Sequence, residues 1–228
     1  MLNKLHLDKY YAMIDQQAIA AIRRDYQLRS LLEKDIAPDP VDQFNHWWHD
    51  ALTSKIDEVN AMTLATVSAN GTPSVRVVLL KGYNHDGFVF FTNYLSAKGQ
   101  AIAHNPSVAL CFFWKELERQ IRIEGIAKKL TDEDNDAYFN SRPAGSRLGA
   151  WSSPQSSIIE NRKTIEENYL KYEEQFGVES IPRPPHWGGY IVEPTAIEFW
   201  QGRSSRLHDR ILYQKEPDGL WSIARLAP

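Results

Sequence analysis

From residue 61 onward the chain reads as strands joined by short turns, and nothing else in it constrains the fold as much. Residues 61–69 (AMTLATVSA) end at Asn70-Gly71, a hairpin signal, because the tight turns that join paired strands need positive φ at their centre. Residues 73–83 (PSVRVVLLKGY) are rich in β-branched side chains and stop at the turn NHDG, after which FVFFTN, 88–93, reads as a third strand. Residues 108–116 and 117–130 read as two long strands. Four more are expected at 187–194, 195–202, 206–214 and 220–226, the last two joined by the turn EPDG. There is no regular strand–helix alternation, which argues against a doubly wound parallel sheet. The expected class is mainly β with flanking helices, as an antiparallel barrel.

Caps place the helices. Asp39 before Pro40 predicts a helix over 39–56, with Val41, Phe44, Trp48, Ala51 and Leu52 as its buried stripe. A short helix is expected over 96–105, ending before Pro106, and another begins after the cap Thr131. Ser157 and Glu160 form an S-x-x-E box that predicts a helix running to Phe176 and stopped by Gly177. The stretch RPAGSRLGAWSSPQSS, 142–157, reads as a loop. Residues 1–38 are polar and read as an arm or lid with one helix around 18–34, ahead of a single domain over 39–228.

Several function classes are disfavoured. The chain has 228 residues, with 26 Lys+Arg against 29 Asp+Glu, so it lacks the basic footprint of a bulk nucleic-acid binder. No stretch approaches the roughly 20 apolar residues of a membrane span, and no signal-like segment opens the chain, so a soluble cytoplasmic protein is expected. P-loop, G-x-G-x-x-G and G-x-S-x-G patterns are absent. The single cysteine, Cys111, sits in an apolar run, reads as a core residue, and excludes a Cys-rich zinc site. His46 and His49 lie three apart without an H-E-x-x-H pattern and read as helix-face residues, so no metal is expected.

Against this slightly acidic background, donors and cations cluster. In RLHDR, 206–210, an extended chain would put Arg206, His208 and Arg210 on one face, with Trp200 and Gly202 just upstream. Such a face suits a small anionic ligand, and it equally suits a solvated strand with surface ion pairs. RVVLLK places Arg76 and Lys81 at the two ends of an apolar strand, on opposite faces by their odd spacing; each is either an anion partner or an edge-strand cation. Thr92 and Lys98 flank a predicted helix start, where phosphates bind readily. Gln120 in LERQ offers an amide for a heterocycle edge, or for a cross-strand hydrogen bond. Tyr138 and Arg142 are four apart on a predicted helix, with Ser146 beyond, which fits phosphate donors or helix-end capping. Together these exceed what one phosphate requires, and two phosphorylated ligands explain them better.

RVVLLK, FFTN, LERQ, YFNSRP, PQSS, WGG, IEFWQG and RLHDR, in this order, resemble the pyridoxine (pyridoxamine) 5′-phosphate oxidase family, with the match running from IRRDY at 22–26 to the terminal RLAP. The resemblance implies an FMN-binding split barrel working as a homodimer, with the flavin at the subunit interface. It implies FMN contacts from Arg76, Val77, Val78, Leu79, Leu80, Lys81, Phe91, Thr92, Lys98, Gln120, Gln155, Ser156, Trp200 and Arg210. Lys81, Tyr138, Arg142 and Ser146 would hold the substrate phosphate, while Arg206, Leu207 and His208 would line the pyridine ring, Arg206 and His208 as catalytic residues. Arg23, Arg24 and Tyr26 would belong to an arm that closes over the site. The implied reaction oxidises pyridoxine 5′-phosphate or pyridoxamine 5′-phosphate to pyridoxal 5′-phosphate, with dioxygen reoxidising the flavin to give hydrogen peroxide. The alternatives are another split-barrel flavin reductase, or a non-catalytic protein that binds FMN or pyridoxal phosphate.

Overall fold

A computed structural model describes residues 20–228. Helix α1 (Pro40–Thr53) starts as expected: the Asp39 carboxylate accepts from the amides of Val41 and Asp42, and Pro40 takes a first-turn position that needs no donor. Val41, Phe44, Trp47 and Ala51 are buried along it. Leu52, predicted to share that stripe, is 51% exposed, and Trp48 is only partly buried. The stripe is rotated toward Trp47, which packs edge-on to Phe199 with the Arg119 guanidinium over its ring.

Nine strands follow: β1 (Ala61–Val67), β2 (Pro73–Leu79), β3 (Gly82–Asn84), β4 (Gly87–Asn93), β5 (Ser107–Trp114), β6 (Arg119–Lys129), β7 (Trp187–Gln201), β8 (Asp209–Lys215) and β9 (Trp221–Leu226). They form one sheet in the order β2-β1-β5-β6-β7-β4-β3, and β7 also carries β8, which carries β9. Each strand pair is antiparallel. β7 is a single strand of 15 residues where two were predicted. Its first half pairs β4 and its second half pairs β8, with β6 along both. The sheet therefore branches and curls into a half-barrel. Pro194, which read as a break, is carried through at a register shift opposite Glu124 and Gly125, where a missing amide costs no ladder bond.

The barrel interior is aromatic and aliphatic. Phe44 is fully buried and touches Tyr83, Phe88, Phe112 and Trp114 with ring centroids 4.8–6.3 Å apart. Burying such a ring contributes about 2–3 kcal/mol, so α1 is fixed to the sheet mainly by this face. A second, smaller core joins α3 (Asp132–Ser141), α4 (Ala144–Ser152) and α5 (Lys163–Phe176) to the start of β7 through Phe139, Leu148, Ile181 and Trp187. Helix α2 (Ala97–His104) is capped by Ser96, whose hydroxyl accepts from the Gly99 amide.

Four local expectations are corrected. Residues 144–152, read as loop, form α4, because Leu148 is buried against the second core. α5 begins at Lys163, so Ser157 and Glu160 form no capping box. Beyond the helical pair 20–21, residues 22–32 are not helical, and 33–35 form a 3-10 turn; the earlier part of the predicted 18–34 helix, with the rest of residues 1–19, lies outside the described residues. RLHDR is not a strand throughout. Residues 204–206 form a 3-10 turn with Ser205 and Arg206 at φ 57° and 62°, and β8 starts only at Asp209.

Candidate functional site

The first cavity, of about 700 Å³, opens between β2, β4, α2 and the second core. Val77, Val78, Leu79, Lys81, Phe91, Thr92, Lys98, Tyr138, Arg142, Ser146 and Gln155 all line it, so sequence-predicted residues spread over some eighty positions converge here. Three of its side chains are cationic and none is a carboxylate. Among the described residues, Lys81, Lys98, Arg142 and the nearby Arg76 have no carboxylate partner in ion-pair range.

Three of these four cations, Lys98, Arg76 and Arg142, rest against neutral groups. Lys98 Nζ donates to Thr92 Oγ1 and to Gln155 Oε1, both at 3.2 Å, and burial together with the Arg76 charge lowers its pKa below the ordinary lysine value. Arg76 donates to the Leu64 carbonyl, Thr66 Oγ1 and Ser74, which uses its guanidinium to brace β1 and β2. The Arg142 guanidinium lies 4.6 Å from the Trp187 ring centroid, and burial lowers its pKa too. Its Nη1 is buried with no hydrogen-bond partner. A buried donor left unmade is costly, which marks the place where an anionic acceptor belongs. Phe91, Tyr138 and Trp187 form a near-parallel stack beside it, with centroids 3.9 and 5.3 Å from Phe91.

The second cavity, of about 550 Å³, is lined by Ile22, Arg23, Arg24, Asp25, Tyr26, Arg203, Ser205, Arg206 and His208, and shares no residue with the first. The His208 ring sits 4.6 Å from Trp200 and 6.0 Å from Tyr26. His208 Nδ1 accepts from the Arg203 amide (3.1 Å), which fits a neutral imidazole protonated at Nε2. Burial, and then the Arg206 charge, lower its pKa. Arg206 and His208 thus stand together, but by a turn and not by strand alternation. Within one chain they open on a different cavity from Lys81, Tyr138, Arg142 and Ser146.

Other predicted residues fall elsewhere. Gln120, Trp200 and Arg210 are cross-strand neighbours on β6, β7 and β8. The Arg210 guanidinium makes a two-point pair with Glu198 (2.7 and 3.1 Å), so the expected three-cation face is not formed. Leu80 is buried in the barrel core, Leu207 is 69% exposed, and Ser156 has φ 72° and lines neither cavity. Trp187, Asn93 and Arg203 line the cavities without having been singled out; Trp187 opens the quoted WGG motif, the one signal that pointed to it. His46 and His49 are exposed on α1. Asp39, Asp42 and His85 bring ligand atoms within 4.8 Å of one another, but Asp39 already caps α1, so the group reads as a cap with a histidine partner.

A curled antiparallel half-barrel of this topology, with a donor-rich cavity at its side, defines the split-barrel class. The chain belongs to the pyridoxamine 5′-phosphate oxidase family of FMN-dependent oxidases, whose pattern matches residues 49–176, while the pyridoxine 5′-phosphate oxidase C-terminal dimerisation region matches residues 187–228. Relatives called pyridoxine/pyridoxamine 5′-phosphate oxidase in Cupriavidus metallidurans and Cupriavidus necator are 57% and 56% identical over 210 residues, spanning 92% of this chain and 99% of theirs. Among solved structures, PhzG from Burkholderia lata, in complex with tetrahydrophenazine-1-carboxylic acid, superposes with TM-score 0.82 at 28% identity, covering 88% of this chain and 99% of that one. An FMN-binding protein from Nostoc punctiforme shares the fold with TM-score 0.66 at 20% identity, over 88% of this chain and 100% of its own. The dimerisation region supports a homodimer. Among the described residues, no helix is long and apolar enough to cross a membrane.

Proposed function

We propose that the protein oxidises pyridoxine 5′-phosphate or pyridoxamine 5′-phosphate to pyridoxal 5′-phosphate with FMN as cofactor and dioxygen as final acceptor. The observation that carries this is the first cavity: three cations, no carboxylate and an orphaned Arg142 donor. That set exceeds what one carboxylate needs and suits two phosphate groups.

Lys98, Thr92 and Gln155, already converged within hydrogen-bond range, would hold the FMN phosphate end, with the backbone of Val77, Val78 and Leu79 beside the ring system. Lys81, Tyr138, Arg142 and Ser146 would hold the substrate phosphate. That contact is remote from the reacting carbon, and its binding energy orients that carbon for the chemical step. Arg206 and His208 would flank the pyridine ring, Arg206 stabilising negative charge and neutral His208 donating a hydrogen bond from Nε2, since its Nδ1 already accepts from the Arg203 amide. Since these two open on the other cavity, the complete site is assigned to the homodimer, one subunit giving the phosphate half and its partner the ring half. Bound FMN would supply the two-electron redox chemistry, with dioxygen as final acceptor, while the residues named above hold and orient the substrate.

Comparing pyridoxine 5′-phosphate with unphosphorylated pyridoxine tests this reading. Loss of several charged hydrogen bonds predicts a kcat/KM lower by about 10³-fold or more for the alcohol without phosphate. Equal turnover of both would remove the basis for the assignment.

A further inference from the structure

Residues 22–32 run over the barrel without helix or strand, yet they are tied down by buried groups. The Leu28 amide donates to Glu118 Oε2 (3.1 Å), and the Leu31 amide donates to Asp209 Oδ2 (3.0 Å). Arg24 Nη2 lies 3.5 Å from Glu118 Oε1. The Glu118 side chain is 3% exposed, and among the described residues its carboxylate has no other side-chain or amide partner than these two. A carboxylate that deeply placed is costly unless it is paired. Both of its partners lie on this one segment.

The backbone at Glu118 adds a second observation. Its φ of 55° and ψ of 40° are left-handed, at the exit of the turn 115–117, where glycine would be free of strain. A glutamate stands there instead, held by the Gly202 amide donating to its carbonyl at 2.7 Å. Gly202 forms the other wall: a Cβ there would lie 2.7 Å from Tyr26 Cγ and 3.0 Å from Glu118 Cβ. Tyr26 thus packs onto bare backbone, with its ring edge-on to Trp200 at 5.7 Å.

We propose that Glu118 is a positioning residue: its buried carboxylate seats residues 24–28 so that Arg23, Arg24 and Tyr26 complete the cavity holding Arg206 and His208. The part this seat plays in turnover rests on the oxidase reading above; the seat itself does not. Glu118 touches neither Arg206 nor His208 and acts only through the segment it holds.

The test uses the full-length, FMN-loaded dimer with Glu118→Ala, Glu118→Gln and Gly202→Ala. Amide exchange over residues 22–31 and steady-state kinetics with pyridoxine 5′-phosphate are read side by side. Losing one charged hydrogen bond predicts about tenfold faster exchange at Leu28 and a KM raised about tenfold, with kcat and flavin content much less affected. Glu118→Gln should fall between wild type and Glu118→Ala, because its amide oxygen still accepts from Leu28 while the pairing with Arg24 is gone. Gly202→Ala should reproduce the Ala effect by blocking Tyr26, and it decides the matter if Glu118→Ala fails to fold. Unchanged exchange in both Glu118→Ala and Gly202→Ala overturns the proposal, as does faster exchange with an unmoved KM. Exchange that rises as predicted in a protein with no turnover supports the seat and refutes the oxidase reading.

Discussion

Arg142→Met should make the ligand-free protein more stable and a worse enzyme. Arg142 Nη1 is buried without a partner, and an unmade buried donor costs about 1–3 kcal/mol. Its cation–π contacts with Trp187, at 4.6 Å, and Phe139, at 5.6 Å, each return about 0.5–1 kcal/mol in a partly exposed setting. Methionine keeps the aliphatic stem and a sulfur–aromatic contact of about 0.3–1.5 kcal/mol, so the exchange favours the folded state by about 1 kcal/mol. For a chain of this length that is a rise of about 2–4 °C in Tm. In the presence of substrate the sign reverses. A guanidinium–phosphate hydrogen bond is worth about 1.5–3 kcal/mol, so KM should rise about 10- to 100-fold. Calorimetry of flavin-free protein in a buffer without phosphate, beside steady-state kinetics of the reconstituted enzyme, reads both. A lower Tm with an unmoved KM would mean that Arg142 is a structural cation and that the orphaned donor marks no anion site.

Lys98→Met should weaken FMN by about 10- to 100-fold, the size of one charged contact, as followed by flavin absorbance or fluorescence titration; unchanged affinity would remove Lys98 from the flavin phosphate. Because the His208 pKa is lowered on folding, its neutral form is favoured in the native state. The group therefore costs nothing above its ordinary value of 6.5 and destabilises progressively as pH falls below it. Arg206→Ala removes the smaller of the two causes, so the His208 ring signal in NMR should titrate at a higher pH than in wild type; a downward shift would contradict the assigned field.

The strands were legible because hairpin punctuation and β-branched runs are local signals. Asn70-Gly71 does join β1 and β2, and Asp39 with Pro40 does open α1. What the sequence hid depends on tertiary contacts. α4 lies in a stretch rich in Gly, Pro and Ser and becomes helical because Leu148 finds the second core. The positive φ at Ser205 and Arg206 cannot be read from side chains that usually avoid it, so an alternation argument placed Arg206 correctly beside His208 for the wrong reason. Convergence of Lys81, Lys98, Arg142 and Gln155 on one cavity was visible only as a surplus of donors. Their separation from Arg206 and His208 within one chain was not visible at all. Trp187 and Glu118 stood inside quoted motifs, but neither carries an obvious chemical signal until its neighbours are known.

The central claim is tested most directly by incubating purified, FMN-loaded protein with pyridoxine 5′-phosphate, and separately with pyridoxamine 5′-phosphate, in air while following aldehyde absorbance and hydrogen peroxide together. The account predicts pyridoxal 5′-phosphate over many turnovers, with peroxide formed in equal amount. A protein that binds FMN yet yields no aldehyde from either phosphate would contradict it.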